Sequence, residues 1–486
     1  MTGPAVAYLG LDLGTSGLKL SVVGENGSIV SESEAAYDVR APRPGHAETD
    51  PADWAAALES AAMRLSSSLT AADTAVDLRG IGVTGQMHGV VLTDDAGTPV
   101  RPAILWPDQR AAECLGLWSR LDADARGRLS NPIVAGMPGP ALSWLREFEP
   151  KSRQAAAQVT FPKDWLRGLL TGDRVTERTD ASASLLWDVV ADGWSSEAMQ
   201  LAGISGDQLP ALVACDALTG SVQESASAHS FGRFGWGGVP VAAGGSDVAC
   251  VLAALQTTQR TQGWQDTVVI NLGTGIQIVR PEVASLPRLD AQTHLYADSD
   301  GGWYEMVAIQ NGGLALGWAQ HVLGFGWDEF VAAARSAPAG AAGASFSPFL
   351  TGERGVVAAP AATAAWSGLT PSVGRAELAR SAFEALAFTI RRGLEALNLA
   401  AQTIVLTGGG AREPWVRQLI GDVLGQPLRY VPVRSASAIG AAALAARGVG
   451  ESLTVATDVL DVLPAAEPRM EAAYASWLAA GPTPVR

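Results

Sequence analysis

Residues 8–20 read Tyr-Leu-Gly-Leu-Asp12-Leu-Gly14-Thr15-Ser16-Gly17-Leu-Lys19-Leu, and the reading of the fold turns on them. An apolar strand runs into Asp12, turns through Gly14, Thr15, Ser16 and Gly17, and resumes as an alternating strand through Leu18, Leu20 and Val22. Glycines let backbone amides come close to a bound anion, and Thr15 and Ser16 add hydroxyl donors. Asp12, at the lip of the turn, is a carboxylate suited to a divalent cation, through its waters if the cation is magnesium. Strand, phosphate-sized turn and carboxylate together point to nucleoside triphosphate chemistry. The plainer alternative is a hairpin closed by glycines.

The device recurs. Residues 267–279 read Thr-Val-Val-Ile-Asn271-Leu-Gly273-Thr274-Gly275-Ile-Gln-Ile-Val, again strand, glycine turn, strand. Two copies in opposite halves point to a duplicated α/β domain, each half contributing one phosphate-binding hairpin. A third glycine turn, Gly408-Gly409-Gly410-Ala411-Arg412, follows the apolar stretch Ile404-Val-Leu-Thr and suits a flat ligand lying against backbone.

These motifs resemble the sugar kinases of the FGGY family, actin-like ATPases of ribonuclease-H fold, and the resemblance runs from about residue 7 to about residue 447. A second family pattern is matched throughout Ala364-Ala-Trp-Ser-Gly368-Leu369, Glu377-Leu378 and Ser381-Ala-Phe-Glu384. The first pattern lies in Met137-Pro-Gly-Pro-Ala141-Leu-Ser-Trp144, where Ala141 replaces a usual lysine. The resemblance implies two ribonuclease-H-like domains flanking a deep cleft, residues 7–245 and 246–447, then a terminal helix and tail over 448–486. Sugar would be held mainly by the first domain and adenosine mainly by the second. It further implies ATP and Mg2+ as cofactors. Asp12 would serve the metal, and Gly14, Thr15, Ser16, Lys19, Gly273, Thr274, Gly275, Gly408, Gly409, Gly410 and Ala411 the nucleotide.

Composition agrees. A chain of 486 residues with 48% hydrophobic content can supply two large cores. A net charge of −15 argues against nucleic-acid or anionic-membrane surfaces, but not against ATP met by amides, hydroxyls and a metal. Cys114, Cys215 and Cys250 are odd in number and in no ligand spacing, which fits reduced thiols and a cytoplasmic protein, with a homodimer allowed. Residues 1–12 lack a basic leader, and the apolar run at 238–256 is broken by glycines, Ser246 and Asp247. Helices are expected over 53–71, capped at Asp50, and over 375–399. The small residues of 435–447 suit close packing beside a nucleotide or a sheet.

In Val239-Pro-Val-Ala-Ala-Gly-Gly245-Ser246-Asp247-Val-Ala-Cys, a strand and a double-glycine turn lead to a helix beginning near Asp247. The helix N-terminus would depress that carboxyl's pKa and keep it ionised. From the residues alone, an ordinary capping side chain is the favoured reading of Asp247. The resemblance makes it the catalytic base, which would take the proton of a sugar hydroxyl attacking the γ-phosphate.

The strand Ile81-Gly-Val-Thr-Gly85 delivers Gln86-Met87-His88-Gly89, a string that looks like the xylulokinase branch, where the Met-His pair contacts sugar. Gln86 and His88 both donate and accept, as polyol recognition requires. Trp106-Pro107-Asp108-Gln-Arg110 resembles the same branch, Trp106 offering an apolar wall and Asp108 accepting hydroxyls. The alternative there is a local Asp108–Arg110 ion pair. Phe161-Pro-Lys-Asp164-Trp-Leu-Arg167 and Thr179-Asp180 through Trp187-Asp188 read as scaffold. Pro107 for Asn, Asn271 for Ser or Thr, Gly275 for Ser, Val248 for Asn, and Gly-Val after Gly352-Glu-Arg354 depart from the branch pattern. Asn311-Gly-Gly313 has a sedoheptulokinase look. The expected activity is phosphorylation of a ketose, D-xylulose first. Another ketose or polyol kinase, or a catalytically silent sugar sensor, are the alternatives.

Overall fold

The computed structural model describes residues 4–223, 231–258, 264, 266–353, 356–359, 361–397, 403–465 and 467–481. Arg354 and the last five residues of the tail lie outside them.

The opening stretch folds as read. Strands β1 (Ala5–Leu13) and β2 (Gly17–Gly24) pair antiparallel with Asp12 opposite Lys19, and Gly14 N donates to Gly17 O at 2.9 Å to close the turn. β3 (Ile29–Ala36) continues the antiparallel edge, while β4 (Val76–Gly85) lies parallel to β1 on the other side. With β5 (Leu218–Ser221) and β6 (Pro240–Ala242) the order is β5-β6-β4-β1-β2-β3, and the short strand Gly245–Ser246 also pairs with β4. Tyr8, Leu9, Leu11 and Leu13 are fully buried, the near-continuous apolar run of a strand covered on both faces.

The second half repeats the plan. Strands β7 (Thr267–Leu272) and β8 (Ile276–Arg280) form the second hairpin, with Asn271 opposite Gln277 and Gly273 N donating to Gly275 O at 2.9 Å. With β9 (His294–Ala297), β10 (Trp303–Ile309), β11 (Thr403–Thr407), β12 (Leu428–Tyr430) and β13 (Leu460–Val462), the order is β9-β10-β8-β7-β11-β12-β13. The cores β3-β2-β1-β4-β6 and β10-β8-β7-β11-β12 follow one another strand for strand, hairpin and parallel neighbour included. The molecule is therefore a pair of ribonuclease-H-like α/β units, as the repeated hairpin predicts.

Helix α1 (Pro51–Ala71) starts where expected, its cap Asp50 accepting from Ala52 N at 3.0 Å and its Trp54, Leu58, Ala61 and Leu65 buried. α2 (Pro162–Thr171), α3 (Asp247–Gln256), α4 (Arg375–Ala396), α5 (Ala436–Gly448) and α6 (Pro468–Ala480) follow. α5 comes after the second sheet in the chain, yet it lies on β1 and β4 of the first. Glycine makes that possible: a Cβ on Gly10 would stand 1.9 Å from Ala438 O, and one on Gly82 1.8 Å from Ala441 O. α3 rests on the other side of α5, where a Cβ on Gly440 would stand 1.8 Å from Cys250 O. This small-residue pair fills the space between the sheets, sharing one core with Val269 and Val405. α6 docks on α4 through buried Met470, Tyr474 and Trp477. Among the described residues, no helix is long and apolar enough to cross a membrane.

Candidate functional site

β1 ends by presenting Asp12, whose Oδ2 accepts from Ser437 Oγ at 2.5 Å, so the first hairpin is tied to the first turn of α5. Burial raises the Asp12 pKa, with the Ser437 hydroxyl and the Lys19 charge pulling it back. The turn itself is braced. Gly14 O accepts from the Tyr37 hydroxyl and from Gln86 Nε2 at 3.2 Å, and Thr15 Oγ1 accepts from Trp106 Nε1 at 2.9 Å. Ser16 is exposed at the tip, and the Lys19 ammonium lies 3.8 Å from Glu34 Oε2.

Asp247 is the first residue of α3, directly after Gly245–Ser246. The preceding Gly244 has φ +81, and a Cβ on it would lie 1.7 Å from Val83 O, so only glycine lets the chain pass β4 here. Asp247 Oδ1 accepts from Val248 N at 2.8 Å. The expectation of a depressed pKa is corrected. Burial, and then the charge of Asp12, push the Asp247 carboxyl up to about 7, overriding the helix N-terminus. Two carboxylates thus feel each other across the cleft floor, and one of them is poised near neutrality.

The scaffold segments lie beneath this turn. Lys163 Nζ on α2 is fully buried, 2.6 Å from Asp164 Oδ1, 3.2 Å from Glu177 Oε1 and 3.3 Å from Asp180 Oδ2. Thr179 Oγ1 donates to Glu177 Oε1 at 2.9 Å and accepts from Ser246 N at 2.7 Å. A buried charge network therefore ends in a hydrogen bond to the residue before Asp247.

Met87 and His88 are buried at the end of β4, with His88 in the left-handed region at φ +67. His88 Nδ1 lies 2.7 Å from Ala183 O. A carbonyl only accepts, so Nδ1 carries a proton, and in the neutral ring Nε2 is then an acceptor. Nε2 stands 3.5 Å from the Tyr296 hydroxyl, which in turn lies 2.7 Å from His294 Nδ1. His294 and Tyr296 were not foreseen in the sequence. They sit on β9 of the second sheet, and only the tertiary fold brings them to His88. Asn131 holds that strand to the first half, donating to Leu295 O at 3.0 Å and accepting from Leu295 N at 2.8 Å. The wall around His88 is thus built from both halves of the chain.

Asp108 also needs correction. Its two oxygens take Ala47 N at 2.6 Å, Arg110 N at 2.9 Å, Arg110 Nε at 2.9 Å and Arg110 Nη2 at 2.8 Å. Four donors fill a carboxylate, and the side chain is buried, so the local ion pair is what forms and no lone pair is left to take a sugar hydroxyl. Trp106 stands at the hairpin instead, half-buried.

On the other side, a cavity of about 480 Å³ is lined by Asn271, Gly408, Gly409, Arg412, Arg434 and Ser437, among others. Gly408 has φ +94, and a Cβ there would lie 2.5 Å from Leu272 O, so the glycine run keeps this wall bare backbone. Gly410 and Ala411 continue into a tight helical turn, with Ala411 buried. The Gly273–Gly275 hairpin is backed by Gly313 N and Leu314 N, which donate to Gly273 O and Thr274 O at 3.0 Å each. One cleft thus brings together Asp12, Asp247, the first hairpin and the Ser437 edge of the cavity.

Comparison with known proteins is consistent across the chain. The N-terminal domain model of the FGGY family of carbohydrate kinases matches residues 7–254, and its C-terminal domain model matches residues 269–449. A xylulose kinase of Escherichia coli K12 is 31% identical over 464 residues, covering 94% of this chain and 92% of its own. One from Lactococcus lactis is 29% identical, covering 91% and 88%. Among solved structures, the xylulose kinase of Rhodospirillum rubrum superposes with a TM-score of 0.81 at 26% identity, covering 97% of this chain and 98% of its own. A gluconate kinase of Lactobacillus acidophilus, at 22% identity and TM-score 0.84 with 97% and 96% covered, shares the fold.

Proposed function

Because the chain belongs to the FGGY family of carbohydrate kinases, we propose that it transfers the γ-phosphoryl group of ATP to the terminal primary hydroxyl of a ketose, D-xylulose first. The products would be D-xylulose 5-phosphate and ADP. The observation that carries this reading is Asp247: a carboxylate at about 7, beside Asp12, on the floor shared by the His88 wall and the first phosphate hairpin. The xylulose kinase names of the full-length relatives support the choice of sugar.

In this mechanism the domains are residues 7–245 and 246–447, and the sugar lies against Met87, His88 and Gln86 with Trp106 as an apolar wall. His88 Nε2 accepts from a sugar hydroxyl, its orientation fixed by Ala183 O. Asp247 accepts the proton of the attacking hydroxyl as the new P–O bond forms and the bond to ADP breaks. ATP lies along Gly408 and Gly409, with the amides of the Gly14–Thr15–Ser16 and Gly273–Thr274–Gly275 turns toward its phosphates. Asp12 fits a hydrated magnesium ion. It is an oxygen donor whose negative charge is felt by Asp247 and Tyr37, and a divalent cation would relieve both. Magnesium, when bound, neutralises phosphate charge. Closure of the cleft would exclude water and suppress ATP hydrolysis.

The test is ADP release with ATP and magnesium across D-xylulose, L-xylulose, D-ribulose, L-ribulose, sedoheptulose, glycerol and L-fuculose. Strong preference for D-xylulose is expected. Preference for another sugar would move the specificity, first to Pro107 and the 133–144 segment. No sugar-stimulated turnover with intact ATP binding would overturn the reading in favour of a sensor.

A further inference from the structure

Arg434 belongs to no motif, yet it lines the same cavity as Gly408, Gly409 and Ser437, two residues before α5 begins. Its side chain is 67% exposed, and Nη2 lies 2.7 Å from Glu32 Oε2 on β3 of the first sheet. Glu32 is much less exposed and has two further partners. Its Oε1 accepts from Ser435 Oγ at 2.5 Å and from Ser21 Oγ at 3.0 Å. The two ends of this ion pair are therefore unequal. Glu32 is anchored by hydroxyls and keeps them if the guanidinium departs. Arg434 is held by one contact, on a long side chain, at the rim of the cavity.

A polyphosphate in that cavity competes with a single carboxylate for the guanidinium, and a planar fork with several donors is well matched to phosphate oxygens. Resting on the reading that the cavity takes ATP, we propose that Arg434 is a phosphate-binding residue of the nucleotide site, released from Glu32 when the nucleotide enters. Glu32 parks the guanidinium at the rim of the cavity before the nucleotide enters and keeps Ser435, the residue preceding α5, in place after the exchange. The Ser437–Asp12 hydrogen bond lies two residues further on, so Arg434 approaches the phosphates from the side of the metal-grade carboxylate.

The experiment is calorimetric titration of the full chain with ADP and, separately, with adenosine. Arg434→Met should weaken ADP about tenfold or more, the scale of a lost charge-assisted hydrogen bond, and change adenosine less than about twofold. Glu32→Gln should tighten ADP a few-fold by removing the competitor. In Glu32→Gln/Arg434→Met that gain should vanish, since the two effects act through one contact. Equal loss of ADP and adenosine affinity in Arg434→Met, or an undiminished Glu32→Gln gain in the double variant, would overturn the proposal. ADP binding does not depend on the sugar, so failure of the sugar panel leaves this test standing. Wild-type protein that binds no ADP would instead overturn the ATP reading itself.

Discussion

At Asp247, burial and the neighbouring Asp12 charge act against a helix N-terminus, and the balance has consequences for rate and for stability. With the Asp12 charge unrelieved, a base with a pKa of about 7 is half-ionised near neutrality. A cation at Asp12 removes one cause of the rise, so with magnesium bound kcat/KM should rise with pH along a limb displaced below that value. A limb at or above 7 would contradict the coupling between the two carboxylates. Asp247→Asn should lower turnover by about a thousandfold, within the range of lost general-base catalysis, while ADP affinity stays within twofold. The same variant should melt higher. Between the ordinary carboxylate value and about 7, the folded protein holds a proton that the unfolded chain has released, so the wild type loses stability as pH rises through that window. The Tm gap between Asp247→Asn and wild type should therefore widen from pH 5 to pH 8. Sequence reading located this residue, because strand, double glycine and helix are local signals. It missed the sign of the shift, because Asp12 is 235 positions away in the chain and adjacent only in space.

Elements tell a similar story about what is local. Both hairpins, α1 and its Asp50 cap, and the glycine run after β11 were legible from periodicity and turn residues. The small-residue character of α5 was legible too, but not that it would rest on the first sheet. That contact makes a sharp prediction. Gly10→Ala and Gly82→Ala place a methyl within 2 Å of helix carbonyls, and each should cost about 1–3 kcal/mol or more as the helix lifts off the strands. Gly116→Ala, on a short helix with open space around it, should be neutral or slightly stabilising. Urea unfolding of the three variants separates packing from a general intolerance of alanine. Asp108 marks the converse limit: its Asp-x-Arg spacing already contained the ion pair, but only the Ala47 amide completed the set of four donors.

For the whole molecule, the assignment as a carbohydrate kinase was legible, because three glycine turns and two family patterns span nearly the entire chain. Left unread was the reach of β9 into the opposite half, where Tyr296 meets His88. A sugar bound at His88 would therefore touch both halves, and its stabilisation should depend on each. His88→Ala should raise the KM for D-xylulose at least tenfold with the ATP KM little changed. Tyr296→Phe should shrink the sugar-induced rise in Tm while leaving the ADP-induced rise intact, read by thermal melts at matched ligand saturation. The duplicated architecture has one more implication. In the first hairpin the facing pair is Asp12 and Lys19, in the second Asn271 and Gln277, the same positions in charged and neutral form. Two equivalent hairpins alone would make a socket that accepts a linear phosphate chain either way round. With a carboxylate on one side and an amide on the other, such a socket would be keyed, and the duplication that built the cleft would not leave the direction of transfer ambiguous.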